Sequence, residues 1–307
     1  MATGSVTLPA VIVVSVILWT VAELGSGHFL RWQTVGGLLA YAFIIYSLIE
    51  VNTVYSFIRT GTSFHTSVFL LMFTAVPSLY VSGIDYLVPC LFIILMGMLF
   101  GSFENKNAPG SVFNSFLCLG LTTLLDPYFV CLFPVMLLQL EYLRSLTTRT
   151  LVAGIMGLCL PYWFIWGYAA FADDYAFLLA RLRALITFSP IDYGSLRLDQ
   201  YLTYAFVLTV SAVGGHHTYT SSYKEKVHTR LMLHVVIMMQ VVLNIMLIVQ
   251  PSHFNTLMSL QIVLSSILAG YMLSTTFTPF TRIFSYVAVA FWIAVCTLNL
   301  WTHFKLY

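Results

Sequence analysis

Long runs of apolar residues, separated by short polar segments, recur along the whole chain. Because an unpaired backbone group in hydrocarbon costs several kcal/mol, these runs are predicted to be helices, each needing about 20 residues to cross a bilayer. The runs lack the alternation of a membrane barrel strand. We predict eleven spans, at approximately 8–22, 36–57, 65–82, 87–101, 111–125, 127–143, 150–171, 201–215, 232–250, 256–275 and 282–302. The predicted fold is an all-α, polytopic transmembrane helix bundle, with residues 1–307 forming a single transmembrane domain.

Composition excludes several classes of protein. Of the 307 residues, 60% are hydrophobic and 8% are charged, whereas about 25% are charged in a soluble domain. The mean hydropathy of +0.92 indicates a membrane protein. A net charge of +2 without a polybasic stretch excludes nucleic acid as a partner. The five cysteines fall within apolar runs and none forms a C-x-x-C pair, so we expect reduced thiols.

The distribution of lysine and arginine predicts the orientation. When the loops are sorted into two alternating sets, one set carries eight positive charges and the other five, of which three lie in a single long loop. By the positive-inside rule the first set is cytoplasmic, including the loops at 102–110, 144–149 and 216–230. The N-terminus is then cytoplasmic, and the longest loop, at about 172–200, lies on the outer face. The predicted location is the cell inner membrane, crossed many times.

A segment at about 173–188 in this outer loop is predicted to be a short interfacial amphipathic helix. Its leucines recur at intervals of three and four, at Leu178, Leu182 and Leu185. Its polar positions are Asp174, Arg181 and Arg183. Two interpretations stay open: the arginines contact lipid phosphate while the helix lies on the headgroups, or the helix faces a substrate.

The first outer loop carries the best candidate acid/base cluster. Glu23, His28 and Arg31 combine a carboxylate, an imidazole and a guanidinium within nine residues, a set that can move a proton and hold a phosphate. The alternative is that these are ordinary charges at a span end. His216 and His217 lack the helical spacing and supporting ligands of a metal site, so no metal is predicted. No motif identifies a cofactor or a nucleotide-binding loop.

Several short motifs carry a resemblance to a known family. They are Glu50-Val-Asn52 with Arg59, Phe113-Asn114, Gly120-Leu121 through Leu125 and Pro127, Arg144-Ser-Leu-Thr-Thr-Arg149, Gly157 and Pro161-Tyr162. On these residues the chain resembles an uncharacterised family of multi-spanning inner-membrane proteins from Bacteroidetes. Its layout, with an early outer acid and a long later outer loop, also looks like that of the GT-C type of glycosyltransferase. Such enzymes move sugars from polyprenyl-phosphate donors at the outer face, usually with a larger first outer loop.

Three classes of function therefore stay open. The first is a GT-C-like protein of cell-envelope biogenesis that handles a polyprenyl-phosphate-linked glycan. In this hypothesis Glu23 is the acid/base or a metal carboxylate, His28 and Arg31 assist it, and Arg181 and Arg183 hold the phosphate. Asp174 lies seven residues before Arg181, on the same face of the predicted helix, and orients that arginine. The second is a non-catalytic subunit or scaffold of an envelope complex, with other membrane subunits as partners. The third is a transporter of a small solute or a lipid. Membrane lipids are expected partners in all three.

Overall fold

The computed structural model describes residues 4–26, 32–55, 63–79, 86–173, 175–185, 191, 193–275 and 279–306. These residues form twelve α-helices joined by short 3-10 turns and loops, and they contain no strand. The helices are α1 (Gly4–Ser26), α2 (Trp32–Tyr55), α3 (Phe64–Thr74), α4 (Leu87–Phe100), α5 (Pro109–Leu125), α6 (Leu132–Tyr142), α7 (Thr148–Ala172), α8 (Tyr175–Ala184), α9 (Leu198–Ser221), α10 (Val227–Val249), α11 (Phe254–Thr275) and α12 (Pro279–Leu306).

The all-α class predicted from the apolar runs is confirmed. Every helix except α8 overlaps one predicted span, and α8 lies within the predicted amphipathic segment. Within the described ranges, five stretches are long and apolar enough to cross a membrane: Val35–Tyr55, Thr148–Ala172, Val227–Val249, Pro251–Thr275 and Thr281–Phe304. The count of eleven crossings and the side of the N-terminus stay predictions.

One predicted span differs in its bounds for a clear reason. The span at 65–82 is the short helix α3, which ends at Thr74 and is followed by a 3-10 turn, Pro77–Leu79. Proline has no backbone N–H to donate and clashes with the preceding turn, so α3 does not continue through Pro77. At about 1.5 Å per residue, the eleven residues of α3 extend about 16 Å.

The helices form two compact units. Unit 1 comprises Met1–Tyr86 and Ile191–Tyr307, and unit 2 comprises Leu87–Pro190. Unit 1 therefore contains α1 to α3 and α9 to α12, and unit 2 contains α4 to α8. This division concerns helix packing, and the single transmembrane domain over residues 1–307 stays a prediction.

Close packing of α5 against α7 organises unit 2. A Cβ atom built on Gly157 would lie 2.3 Å from the backbone oxygen of Phe113, and one on Gly120 would lie 2.7 Å from the oxygen of Leu158. Small residues at both positions allow the two backbones to approach. The hydroxyl of Tyr162 donates to Thr123 Oγ1 at 2.9 Å and adds a bond between the same helices.

Two capping interactions are present in unit 2. Asp126 Oδ1 accepts a hydrogen bond from the backbone N–H of Tyr128 at 3.1 Å, at the start of the 3-10 turn before α6. Thr147 and Thr150 form a reciprocal capping box that begins α7. Each satisfies backbone donors that a helix start leaves without intrahelical partners.

Helix α11 is the centre of unit 1 and is almost completely buried. It packs against α3, α9 and α10. Gly270 allows the contact with α3, because a Cβ atom there would lie 2.5 Å from the Cα of His65. Polar side chains join α10 and α11: Gln240 donates to Ser265 at 3.2 Å, and Gln261 donates to the backbone oxygen of Leu243 at 3.2 Å.

Helix α12 supplies two hydrogen bonds to the end of α3. The Trp292 indole N–H donates to the backbone oxygen of Leu71. Asn299 Nδ2 donates to the backbone oxygen of Ala75 at 2.6 Å and to Thr203 Oγ1 of α9 at 2.9 Å. The carbonyl of Leu71 also accepts bonds from the backbone N–H of Ala75 and the hydroxyl of Thr74. The acceptor at the end of α3 that depends on α12 is therefore the carbonyl of Ala75, since the last carbonyls of a helix lack intrahelical donors.

Candidate functional site

The residues predicted to form a site from the sequence fall in different parts of the structure. His28, Arg31 and Asp174 lie outside the described residues. The backbone of Arg181 belongs to α8, and its side chain lies outside the described part. Glu23 is near the end of α1 in unit 1, with its side chain buried. Arg183 is exposed on α8 in unit 2. The grouping of these residues into one site stays a prediction.

Helix α8 has the exposed apolar surface expected of an interfacial helix. It contacts α7, and the side chains of Tyr175, Leu179 and Leu182 are exposed. Such leucines favour a position against lipid. The position of α8 in the membrane interface stays a prediction.

A polar cleft lies in unit 1, where the ends of several helices meet. It is a shallow cleft, partly open to solvent, with an internal volume of about 20 Å³. Its polar lining comes from the turn after α3, the beginning of α9 and the end of α12: Ser78, Arg197, Asp199, Gln200, Thr203, Asn299, Thr302 and His303. We call this group the polar cleft.

The start of α9 positions the charged groups of the polar cleft. Arg197 Nη2 lies 3.1 Å from Asp199 Oδ2, and the backbone N–H of Arg197 donates to Gln200 Oε1 at 3.0 Å. The Arg197 side chain is 41% exposed and that of Asp199 is 11% exposed. A guanidinium has five N–H donors, so the bond to Asp199 orients Arg197 while other donors can contact a ligand.

The segment before Arg197 is held in place by tyrosines. Tyr193 donates from its hydroxyl to the backbone oxygen of Ile248, at the end of α10, at 2.6 Å. Tyr201 donates from its hydroxyl to the backbone oxygen of Tyr193 at 2.9 Å. These bonds fix the entry into α9 and therefore the place of Arg197.

The floor of the polar cleft is a chain of hydrogen bonds. Thr203 donates from its hydroxyl to the backbone oxygen of Asp199 at 2.8 Å and accepts the bond from Asn299. Thr302 donates to the backbone oxygen of Asn299 at 3.0 Å. His303 is buried beside this chain. The floor connects α9 to α12 below the exposed guanidinium.

The segments that form the polar cleft belong to one predicted face. The alternation of the eleven predicted spans puts the end of α3, the start of α9, the start of α11 and the end of α12 on the outer side. Unit 2 agrees with the predicted topology at the opposite face: Glu104 lies 3.6 Å from Arg144, and the hydroxyls of Ser102 and Ser145 are 3.2 Å apart. Two predicted spans separate the loops that carry these residues, so both loops are predicted to lie on the same side of the membrane.

Sequence reasoning missed the polar cleft. Arg197 is one of the three positive charges counted in the long outer loop, but no pattern in the sequence joins it to Asn299. Ninety-six positions separate Asn299 from Thr203, so no local motif joins them. The usable signal was the predicted topology, which puts Arg197, Asp199 and His303 on the same face.

Comparison of the chain with protein-family models, with curated proteins and with solved structures finds no match. Within the described residues, no group of three or more histidine, cysteine, aspartate or glutamate side chains is placed to hold a metal ion. All five cysteines are free thiols. The chemistry available in the polar cleft is therefore that of a guanidinium, a carboxylate, an imidazole and neutral hydrogen-bonding groups.

Proposed function

We propose that this integral membrane protein acts in cell-envelope biogenesis by binding a lipid-linked phosphate, of the polyprenyl-phosphate glycan type, at its predicted outer face. The polar cleft is the binding site in this proposal, and Arg197 contacts the phosphate. Arginine suits this role because its planar fork can donate two parallel hydrogen bonds to phosphate oxygens.

The observation that carries the proposal is the placement of Arg197. Its guanidinium is bonded to Asp199 on one side and partly exposed, at a cleft lined by polar side chains. The site lies at the ends of apolar helices, where a headgroup of a membrane lipid would be. A water-soluble anion would meet the same guanidinium, but it would gain nothing from this position beside hydrocarbon.

Asp199 and His303 supply the groups for a step from binding to chemistry. A carboxylate and an imidazole lining one cleft are the groups that accept or donate a proton in a sugar transfer. In this proposal they take the roles that the GT-C-like hypothesis assigned to Glu23 and His28. The phosphate contacts of Arg181 and Arg183 stay a prediction.

The first test is binding of a lipid phosphate to the full-length protein. Native mass spectrometry of protein purified in mild detergent should detect a co-purified polyprenyl phosphate. In a titration with farnesyl phosphate, Arg197→Ala should weaken binding about tenfold or more, since hydrogen bonds between charged groups are worth about 1.5–3 kcal/mol. Arg197→Lys should retain part of the affinity, because lysine keeps the charge without the fork.

Arg149→Ala is the matched control, because Arg149 is exposed on α7 and lies outside the polar cleft. It should bind farnesyl phosphate as the unmodified protein does. Equal affinities of the Arg197→Ala and unmodified proteins would exclude the polar cleft as the phosphate site. Co-purification of a stable protein partner without any lipid phosphate would instead favour the scaffold hypothesis, and a bound small solute would favour the transporter.

A further inference from the structure

A group of cations follows α9, at the other end of this helix from the polar cleft. Lys224 and Lys226 are exposed in the turn between α9 and α10, and Arg230 is half-buried in the first turn of α10. None of the three forms a salt bridge with another described residue. The 24 residues of α9 extend about 36 Å, so these cations lie far from Arg197. We call Lys224, Lys226 and Arg230 the basic turn.

Positive charge exceeds negative charge around the basic turn. The segment from His216 to Arg230 contains one acid, Glu225. Glu225 is half-buried and its Oε2 atom is enclosed by protein, whereas both lysines are exposed. Burial lowers the pKa of the His217 imidazole, and the nearby positive charges of His216 and Lys224 lower it further. An anion that approached this surface would therefore meet an excess of positive charge.

The start of α10 puts the basic turn beside membrane-spanning structure. The stretch Val227–Val249 is long and apolar enough to cross a membrane, and it begins directly after Lys226. Tyr219 and Tyr223 are each 67% exposed on the same side of the helix pair, and tyrosine is enriched where a protein passes from hydrocarbon to water. Lys224 Nζ lies 5.6 Å from the centre of the Tyr223 ring. The cations and the tyrosines are therefore at the level of lipid headgroups.

This position favours a membrane lipid as the anion. Lysine and arginine have long apolar stems that lie along hydrocarbon while their charged ends reach the headgroup region. Near an anionic membrane surface each such cation increases affinity about fivefold. A soluble acidic protein would have to displace headgroups to reach cations that begin one residue before the apolar stretch.

We propose that the basic turn binds the phosphate of an anionic phospholipid, such as phosphatidylglycerol, with Tyr219 and Tyr223 beside the headgroup. The lysine ammonium groups donate to the phosphate oxygens, and Arg230 adds its charge from the first turn of α10. This contact is independent of the polar cleft, because the two surfaces lie at opposite ends of α9. It assigns to the protein a preference for anionic lipid at its predicted cytoplasmic face.

A fluorescent label beside the basic turn can measure which lipids lie next to it. In a variant without native cysteines, a bimane is attached to Thr220→Cys, since Thr220 is exposed near the end of α9. The full-length protein is placed in phosphatidylcholine vesicles with a small fraction of phosphatidylglycerol or phosphatidylcholine that carries a quenching nitroxide near its headgroup. At equal fractions, phosphatidylglycerol should quench as if it were about fivefold more concentrated beside the label. High salt should reduce this difference, because salt screens exposed charges.

Paired substitutions test whether the basic turn causes the preference. Lys224→Gln with Lys226→Gln should remove at least about half of it, whereas Lys224→Arg with Lys226→Arg should retain it because the charges stay. Lys106→Gln with Arg149→Gln is the matched control, since it removes the same charge from exposed positions of unit 2. The control pair should leave quenching at Thr220→Cys unchanged. Thermal unfolding of each protein checks that the substitutions preserve the fold.

The outcomes distinguish the lipid from other anions. Equal quenching by the two lipids in the otherwise unmodified protein would overturn the proposal, and so would equal losses in the two glutamine pairs. Inorganic phosphate that abolished the preference at matched ionic strength would assign the surface to a soluble phosphate instead. Binding of polyglutamate without any lipid preference would assign it to an acidic protein. A loss confined to the Lys224→Gln, Lys226→Gln protein supports the lipid contact.

Discussion

Asn299 shows how a single amide can join three elements. Its side chain bonds to the end of α3 and to α9 from its own position on α12. Asn299 is buried, and a buried carbonyl that loses its donor costs free energy comparable to a lost hydrogen bond. The residue therefore holds the floor of the polar cleft and the end of a short helix at the same time.

Replacing Asn299 with leucine should destabilise the protein by about 1–2 kcal/mol, the upper range for hydrogen bonds between membrane helices. The cost arises mainly at Ala75, because Thr203 still bonds to the backbone oxygen of Asp199. Unfolding in mixed micelles measures the change. Thr297→Val is the control, since exposed Thr297 bonds within its own helix, and it should cost much less. Equal losses in both variants would contradict the role given to Asn299.

At the scale of an element, the contact between α5 and α7 depends on two glycines. The two helices approach until the backbone oxygens of Phe113 and Leu158 leave no room for a side chain at Gly157 and Gly120. Close approach increases van der Waals contact, which is the main attraction between helices in lipid. Here residue size at two positions decides how unit 2 packs.

Gly157→Ala should destabilise unit 2 by about 1–3 kcal/mol, because its new methyl group meets backbone atoms that cannot rotate away. Gly167→Ala on the same helix has open space around the added methyl group and should be neutral or stabilising, since alanine favours a helix over glycine by about 1 kcal/mol. Thermal unfolding of the two variants should therefore shift in opposite directions. A loss of stability for Gly167→Ala alone would contradict this packing.

Topology is the property of the whole molecule on which the function depends. The polar cleft faces the outer side only if the loops with more lysine and arginine lie in the cytoplasm, as the positive-inside rule predicts. Tyr223 follows α9 at its opposite end and is exposed, as is Leu198 at its beginning. These two positions can therefore report the two faces.

In a variant without native cysteines, a cysteine at Leu198 should react with a membrane-impermeant maleimide in intact cells. A cysteine at Tyr223 should react only after the cells are opened. Ser222 is unsuitable as a reporter because it is buried and contacts His234. Labelling at Tyr223 alone in intact cells would show that the orientation is the opposite of the predicted one. Labelling at both positions would show that α9 does not cross the membrane.

The sequence and the structure agree where a feature depends on neighbours in the chain. Apolar runs predict the helices because the periodicity and length of a helix are local properties of the sequence. The polar cleft depends on Arg197, Thr203 and Asn299, which meet only after the chain has folded. Glu23, His28 and Arg31 were grouped by sequence distance, and distance along a chain says little about which helix ends converge.

The two bonds from α12 to α3 also carry a consequence for biosynthesis. Ala75 leaves the ribosome 224 residues before Asn299, which at about 5–20 residues per second is an interval of about 10–45 seconds. During that interval α3 is in the membrane, or beside the insertion machinery, without the donor that Asn299 supplies to Ala75. The nascent protein must satisfy this carbonyl with water, with another helix or with the translocon until its last helix arrives. A chain released before Asn299 is made would lack the donor that binds the Ala75 carbonyl at the end of α3.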